Sequence, residues 1–221
     1  MITVAEKAEE LVNKSPYLRE ALTDRLINLS ALARKLQPQI QAELQKEVTE
    51  SAIFAALQRM QSSFKPYYAV NPAQYLDNLS LKSGLIEITV KNSPTLSQQL
   101  SVVAEESDKS FTNLFVATRG QSETTIITSN GLKAVLDQAF KQEEITSTIP
   151  GLTGISMQRT HDQVETTGVL QYPLRILAWE GISVIEIVTT LNEMMILVQD
   201  GDVDRAFVAI RKGLESVSGA N

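Results

Sequence analysis

A chain of 221 residues, 43 % of them apolar, is long enough to bury a real core, as one large domain or as two to three small ones. It contains no cysteine, which excludes disulfides, thiolate zinc sites and cysteine nucleophiles, and its formal charge is -6. Through residue 70 there are 9 Lys and Arg against 8 Asp and Glu, and beyond it 11 against 18, so the front is near neutral, the rear is acidic, and nucleic-acid contact is confined to the front third.

No stretch approaches the run of roughly 18 apolar residues that a membrane helix needs. The start, MITVAEKAEELVNK, lacks the basic-then-apolar layout of a signal peptide, so a cytoplasmic protein without membrane contact is expected. Residues 1–63 read as all-helical. Val4, Ala8, Leu11 and Val12 form one stripe, and SPYLREAL starts a short helix with Ser15 as cap and Pro16 at its first position. Leu29, Leu32, Ala33 and Leu36 share a face, as do Ile53, Ala56, Leu57 and Met60 after Thr49, and QPQIQAELQKEV between them predicts a helix bent at Pro38.

Residues 64–83, with two prolines and three tyrosines, read as a linker closed by Gly84. Strands and helices then alternate. In LIEITV, Ile86, Ile88 and Val90 alternate with Glu87, Thr89 and Lys91, the pattern of a half-buried strand with its polar set toward water. Ser93 and Pro94 open a helix carrying Leu96, Leu100 and Val103, FTNLFVAT and ETTIIT form a hairpin turning at Gly120, and residues 129–140 form a helix. The order then repeats. LTGISMQRT is a strand, GVLQYPLRILAWEG mainly a helix, ISVIEIVTT and EMMILVQ are strands joined around Leu191 and Asn192, and residues 202–214 are a helix with Val203, Ala206, Phe207, Ile210 and Leu214 on one side. Two copies of one unit, over residues 84–148 and 149–221, predict an α+β chain with a ferredoxin-like βαββαβ arrangement in each copy. Copies of about sixty residues have marginal cores unless they associate.

The second copy resembles the ACT domain of amino-acid-regulated proteins, most closely the regulatory half of aspartate kinases. The resemblance lies in Thr166, Gly168 and Val169, in Glu180, Gly181 and Ile182 turning into a strand, in residues 189–193 between strands, and in Asp202, Asp204, Ala206 and Phe207 of the last helix. It implies an amino-acid ligand where the loop after the first strand meets a neighbouring unit, with output through that interface and a homodimer through the ACT-like units. The loop RTHDQVETTG offers His161, Asp162, Gln163, Glu165, Thr167 and Gly168, followed by Val169. Two positions depart from the family pattern: Ser183 stands where Asn is common, and Pro173 sits inside the first helix.

His161, the one histidine, reads otherwise as a polar loop residue, Gly168 as a structural turn, Glu186 and Glu193 as solvated, and Glu180 as the end of its helix. Trp179 reads as an apolar anchor beneath its helix. No phosphate loop, metal motif or nucleophile grouping is present, so neither catalytic residues, nor a metal, nor a cofactor is expected. The front has two readings, a plain helical bundle or a helix-turn-helix or winged-helix head with Thr49 capping the recognition helix. In the latter, Gln58 and Arg59 read bases and Arg34, Lys35 and Lys46 meet phosphates. The expected function is a non-enzymatic regulator that senses an amino acid and passes the signal to the helical head. The alternatives are a stand-alone regulatory partner of a biosynthetic enzyme such as aspartate kinase, and a catalytic role in amino-acid metabolism.

Overall fold

The computed structural model describes residues 2–64, 72–159 and 166–218. The chain divides into two compact units, Met1–Val70 and Asn71–Asn221.

The first unit is built from α1 (Val4–Asn13), α2 (Pro16–Thr23), α3 (Leu29–Leu44) and α4 (Glu50–Ser63). Thr3 starts α1 with a reciprocal cap, its hydroxyl accepting from the Glu6 amide while the Glu6 carboxylate accepts from the Thr3 amide. Ser15 caps α2 ahead of Pro16, and the Thr49 hydroxyl accepts from the Ala52 amide at the start of α4, as expected. The three apolar stripes meet in one core that contains Ala8, Leu11, Leu32, Leu36, Ile53 and Leu57, joined by Leu22 of α2. Lys7, nearly buried, pairs with Glu10 within α1 and ties α1 to α3 by its ion pair to Glu43. No strand occurs among residues 2–64, so the structure gives the winged-helix form no support there. Helix α3 runs through Pro38 to Leu44, leaving only residues 45–49 between α3 and α4, with Gln45 in the left-handed region at φ 50.

The second unit runs β1 (Leu76–Lys91), α5 (Leu96–Ser107), β2 (Phe115–Arg119), β3 (Glu123–Ser129), α6 (Lys133–Ala139), β4 (Ile145–Arg159), α7 (Gln171–Trp179), β5 (Glu186–Thr189), β6 (Glu193–Gln199) and α8 (Val203–Ser218). Among the described residues these strands form one six-stranded antiparallel sheet in the order β2-β3-β1-β4-β6-β5. The two expected repeats are present but not separable. Residues 76–83, expected to end a linker, are the first half of β1 and pair with the second half of β4. The second half of β1 pairs with β3 and with the first half of β4. Each repeat therefore takes its outer strand from the long strand of the other.

The register makes this a twofold relation. A shift of 67 residues carries the pair Ser80↔Ser156 onto Thr89↔Ser147, and Lys82↔Gly154 onto Glu87↔Ile149, with Leu85↔Leu152 on the axis. A shift of 70 residues carries Val116↔Ile127 onto Glu186↔Leu197. Where β1 and β4 cross from one repeat to the other, Gly84 and Gly151 stand at φ 71 and 69 beside register shifts, which are glycine bulges. A Cβ on residue 151 would meet nothing closer than the Asp200 carboxylate at 3.5 Å, so the backbone angle is the constraint there. Gly151→Ala should therefore cost about 1–2 kcal/mol in urea unfolding, and an unchanged midpoint would show that the bulge can relax.

One face of the sheet carries the helices. Ile88, Val90 and Ile126 pack with Leu96, Val103 and Phe140, and Ile155, Met194 and Ile196 pack with Leu177, Ala206 and Ile210. The other face holds a separate core of Leu85, Ile127, Leu152, Met195 and Leu197. Val116 of edge strand β2 and Val188 of the opposite edge β5 both pack on that core. The same two residues line one hollow of about 440 Å³, whereas five strand spacings would hold these edges about 24 Å apart in a flat sheet, so the sheet is curled and this face is concave. Among the described residues no helix is long and apolar enough to cross a membrane.

Candidate functional site

Three clefts adjoin one another around the turn between β5 and β6. The first, of about 410 Å³, is lined by Arg159, Thr166, Gly168, Val169, Gln171 and Leu191. The second, about 400 Å³, shares Arg159 and adds Gln158, Thr190, Asn192 and Glu193. The third, about 440 Å³, shares Thr190 and Glu193 and opens onto the concave face. Its far wall comes from the other repeat: Lys82 of β1, and Phe111, Asn113 and Leu114 from the connection between α5 and β2. Arg159 is fixed to the turn by its guanidinium donating to the Leu191 carbonyl at 2.9 Å and its amide to the Asn192 carbonyl at 2.8 Å.

The third cleft combines chemistry that the others lack. Lys82 donates to the Thr112 carbonyl, which keeps its ammonium at the mouth with further donor capacity. Glu193 supplies the opposite charge, and Asn113, Ser80, Ser156 and Thr190 supply neutral donors and acceptors. Leu114, Val116, Val188 and Met195 make the floor, while Phe111 stands fully exposed at the rim. The lining of this cleft is half apolar and half polar, with one charge of each sign, so it offers both a surface for an apolar group and partners for charged ones. Gly154 lies under it: a Cβ there would fall 2.5 Å from the Met195 sulfur, so a bulkier residue would push Met195 into the hollow.

Of the residues expected from the sequence, Gly168 and Val169 line the first cleft and Thr167 is exposed beside it. Gly168 adopts φ 90 and its carbonyl accepts from the Tyr172 amide, opening α7. Pro173 thereby falls in the first turn of α7, where proline is tolerated. His161, Asp162, Gln163 and Glu165 lie outside the described residues. Ser183 is exposed and precedes β5, at the other end of α7 from Gly168 and about 13 Å along the helix, so one repeat does not bring the two together. The twofold relation supplies the counterpart: Asn113 occupies in the first repeat the place of Ser183 in the second, and it is Asn113 that meets the second repeat's turn. Sequence reading missed Asn113 and Lys82 because only the antiparallel pairing of β1 with β4 sets the two repeats head to tail.

Two further expectations fail. Trp179 is 73 % exposed, with the Arg175 guanidinium stacked 5.4 Å from its ring, because the inward side of α7 is taken by Pro173 and Leu177. Glu87, expected toward water, is 6 % exposed because the curl turns that face of β1 inward. In the helical unit Arg34, Lys35, Lys46, Gln58 and Arg59 are all exposed, and Arg34 pairs loosely with Glu50 at 3.5 Å. Among the described residues no group of three or more acidic or histidine side chains gathers to hold a metal.

No protein-family model matches the sequence, and no curated protein matches it. Solved structures do match. The ligand-free regulatory subunit of aspartate kinase from Thermus thermophilus aligns with a TM-score of 0.51 at 11 % identity, over 63 % of this chain and 98 % of its own. Aspartate kinase from Clostridium acetobutylicum aligns at 0.52 and 12 % identity, over 63 % of this chain and 35 % of that enzyme. The aspartate kinase from Synechocystis aligns at 0.51 and 16 %, over 78 % of this chain and 32 % of the enzyme. The chain thus spans nearly all of a separate regulatory subunit and about a third of the whole kinases. Over 63 % of its length the chain has the fold of the regulatory subunit of aspartate kinase.

Proposed function

We propose that this chain is a non-enzymatic regulatory protein that senses an amino acid through its paired ACT-like repeats and passes the signal to its helical front. The observation that carries this reading is the cleft shared by the two repeats, with Lys82 and Asn113 on one wall and Glu193 on the other. A ligand carboxylate meets Lys82 and the Asn113 amide, its ammonium meets Glu193, and its side chain rests on Val116, Val188 and Met195. The residues from His161 to Val169 supply further contacts to the same ligand. Because the cleft walls come from different repeats, a bridging ligand binds the closed arrangement more tightly than the open one, and that difference is what drives a switch. A homodimer through the repeats then moves the helical fronts, whose exposed Arg34, Lys35, Lys46, Gln58 and Arg59 contact DNA or a biosynthetic enzyme.

The test is thermal unfolding against each of the twenty amino acids at millimolar concentration. A ligand at 100 times its dissociation constant stabilises by about 2.7 kcal/mol, which is a shift of a few degrees. One selective shift is expected. No shift with any amino acid would remove the sensor reading, and a shift without change in DNA or enzyme binding would remove the coupling to the front.

A further inference from the structure

Glu87 has no counterpart in the reading above. Its Oε2 is buried without a hydrogen-bond partner on the concave face. A lone carboxylate in such surroundings is costly, and folded chains either pair it or keep it protonated. Among the described residues no cation stands opposite. Its neighbour on β3 is Ile127 and on β4 Ile149, and the next positions along this face are Thr125 and Ser147. Strand β2 adds Val116 and Thr118. The charged groups at the end of this ladder are Lys91, ion-paired with Glu144, and Glu123, which accepts from the Thr146 hydroxyl. They lie four residues along, about 13 Å away.

Across the curl, β5 brings a second acid. Glu186 lies between Ile185 and Val188, both of which pack on the concave core. Burial first, and the Glu186 charge second, hold the Glu87 carboxyl above the ordinary glutamate range. The twofold relation shows that this is peculiar to one half. Glu87 occupies the place of Gly154, and Glu186 that of Val116, so the half with the ligand cleft has a small and an apolar residue where the other half has two carboxyls.

We propose that Glu87 makes closure of the concave face proton-linked: neutral, it lets edge strand β5 pack onto the core, and charged, its repulsion from Glu186 and its demand for water loosen β5. The folded chain holds this proton more tightly than the unfolded chain does. Stability therefore falls as pH rises from the ordinary glutamate value, about 4.3, through the raised folded value.

The experiment follows the Ile185 amide, which donates to the Leu197 carbonyl at 2.9 Å, by hydrogen exchange on the full chain at successive pH values. The ratio of wild-type to Glu87→Gln exchange removes the intrinsic pH dependence. That ratio should grow by up to about tenfold for each pH unit crossed inside the window. A ratio flat with pH would overturn the proposal. Should Glu87→Gln fail to fold, Glu186→Gln keeps the titrating group and removes its facing charge. The Glu87 carboxyl carbon, followed by NMR, should then titrate at lower pH than in the wild type, and an unmoved midpoint, or a wild-type midpoint at the ordinary value, would overturn it equally.

Discussion

Leu152→Ala should destabilise the sheet-containing unit by about 2–5 kcal/mol and should loosen both repeats at once. Leu152 is fully buried, faces Leu85 on the twofold axis, and packs in one cluster with Ile127 of the first repeat and Met195 and Leu197 of the second. Truncating it opens a cavity that neither repeat can collapse without moving the other, because β1 and β4 each belong to both. The comparison is Phe140→Ala, of similar cost, about 3–5 kcal/mol, but confined to the core between α5, α6 and the first repeat's strands. Hydrogen exchange separates the two. Leu152→Ala should speed exchange in β3 and β6 together, whereas Phe140→Ala should act first on β3. If Leu152→Ala affected β6 alone, the repeats would be independent folding units and the shared strands incidental.

Once an amino acid is found that stabilises the protein, Lys82→Met should weaken it by about 10- to 100-fold, equivalent to about 1.5–3 kcal/mol for a lost hydrogen bond to a charged group. Asn113→Ala should weaken it less, by the worth of a neutral contact to a charged partner. The control is Lys91→Met, which removes a cation of the same chain length from the other end of β1, where it is paired with Glu144. Calorimetric titration of the three variants reads the difference. Equal loss in all three would mean that net charge, rather than the cleft, decides affinity. Full affinity in Lys82→Met together with loss in Gly168→Val would place the ligand at the loop cleft beside Arg159 instead.

Local signals were legible wherever a residue's role is settled within a turn or two of its own position. The caps at Ser15 and Thr49, the helix of Val203, Ala206 and Ile210, and the hairpin around Leu191 and Asn192 are all met by neighbours close in sequence. The recurrence of strand, helix, strand, strand and helix was legible for the same reason. The resemblance to ACT domains rested on such local spacing, and the fold agrees with it although identity to the matched structures is 16 % or less.

What escaped the sequence concerns partners distant in the chain. Residues 76–83 look like linker because their ladder partners lie about 75 residues on, in β4. Glu87 alternates with isoleucines as a wet residue should, and only the curl of the sheet, which brings β2 and β5 onto one core, turns its side inward. Asn113 is an ordinary loop residue until antiparallel pairing of β1 with β4 places one repeat's loop against the other's turn. The sequence by itself determined the helical front, the two repeats, their strands and helices, and the absence of cysteine chemistry, since these follow from periodicity, capping and composition. The tertiary structure alone decided which repeat lends which strand, where the shared cleft lies and which carboxyl is buried, because hydrogen-bond register and sheet curvature depend on residues that sequence distance keeps apart.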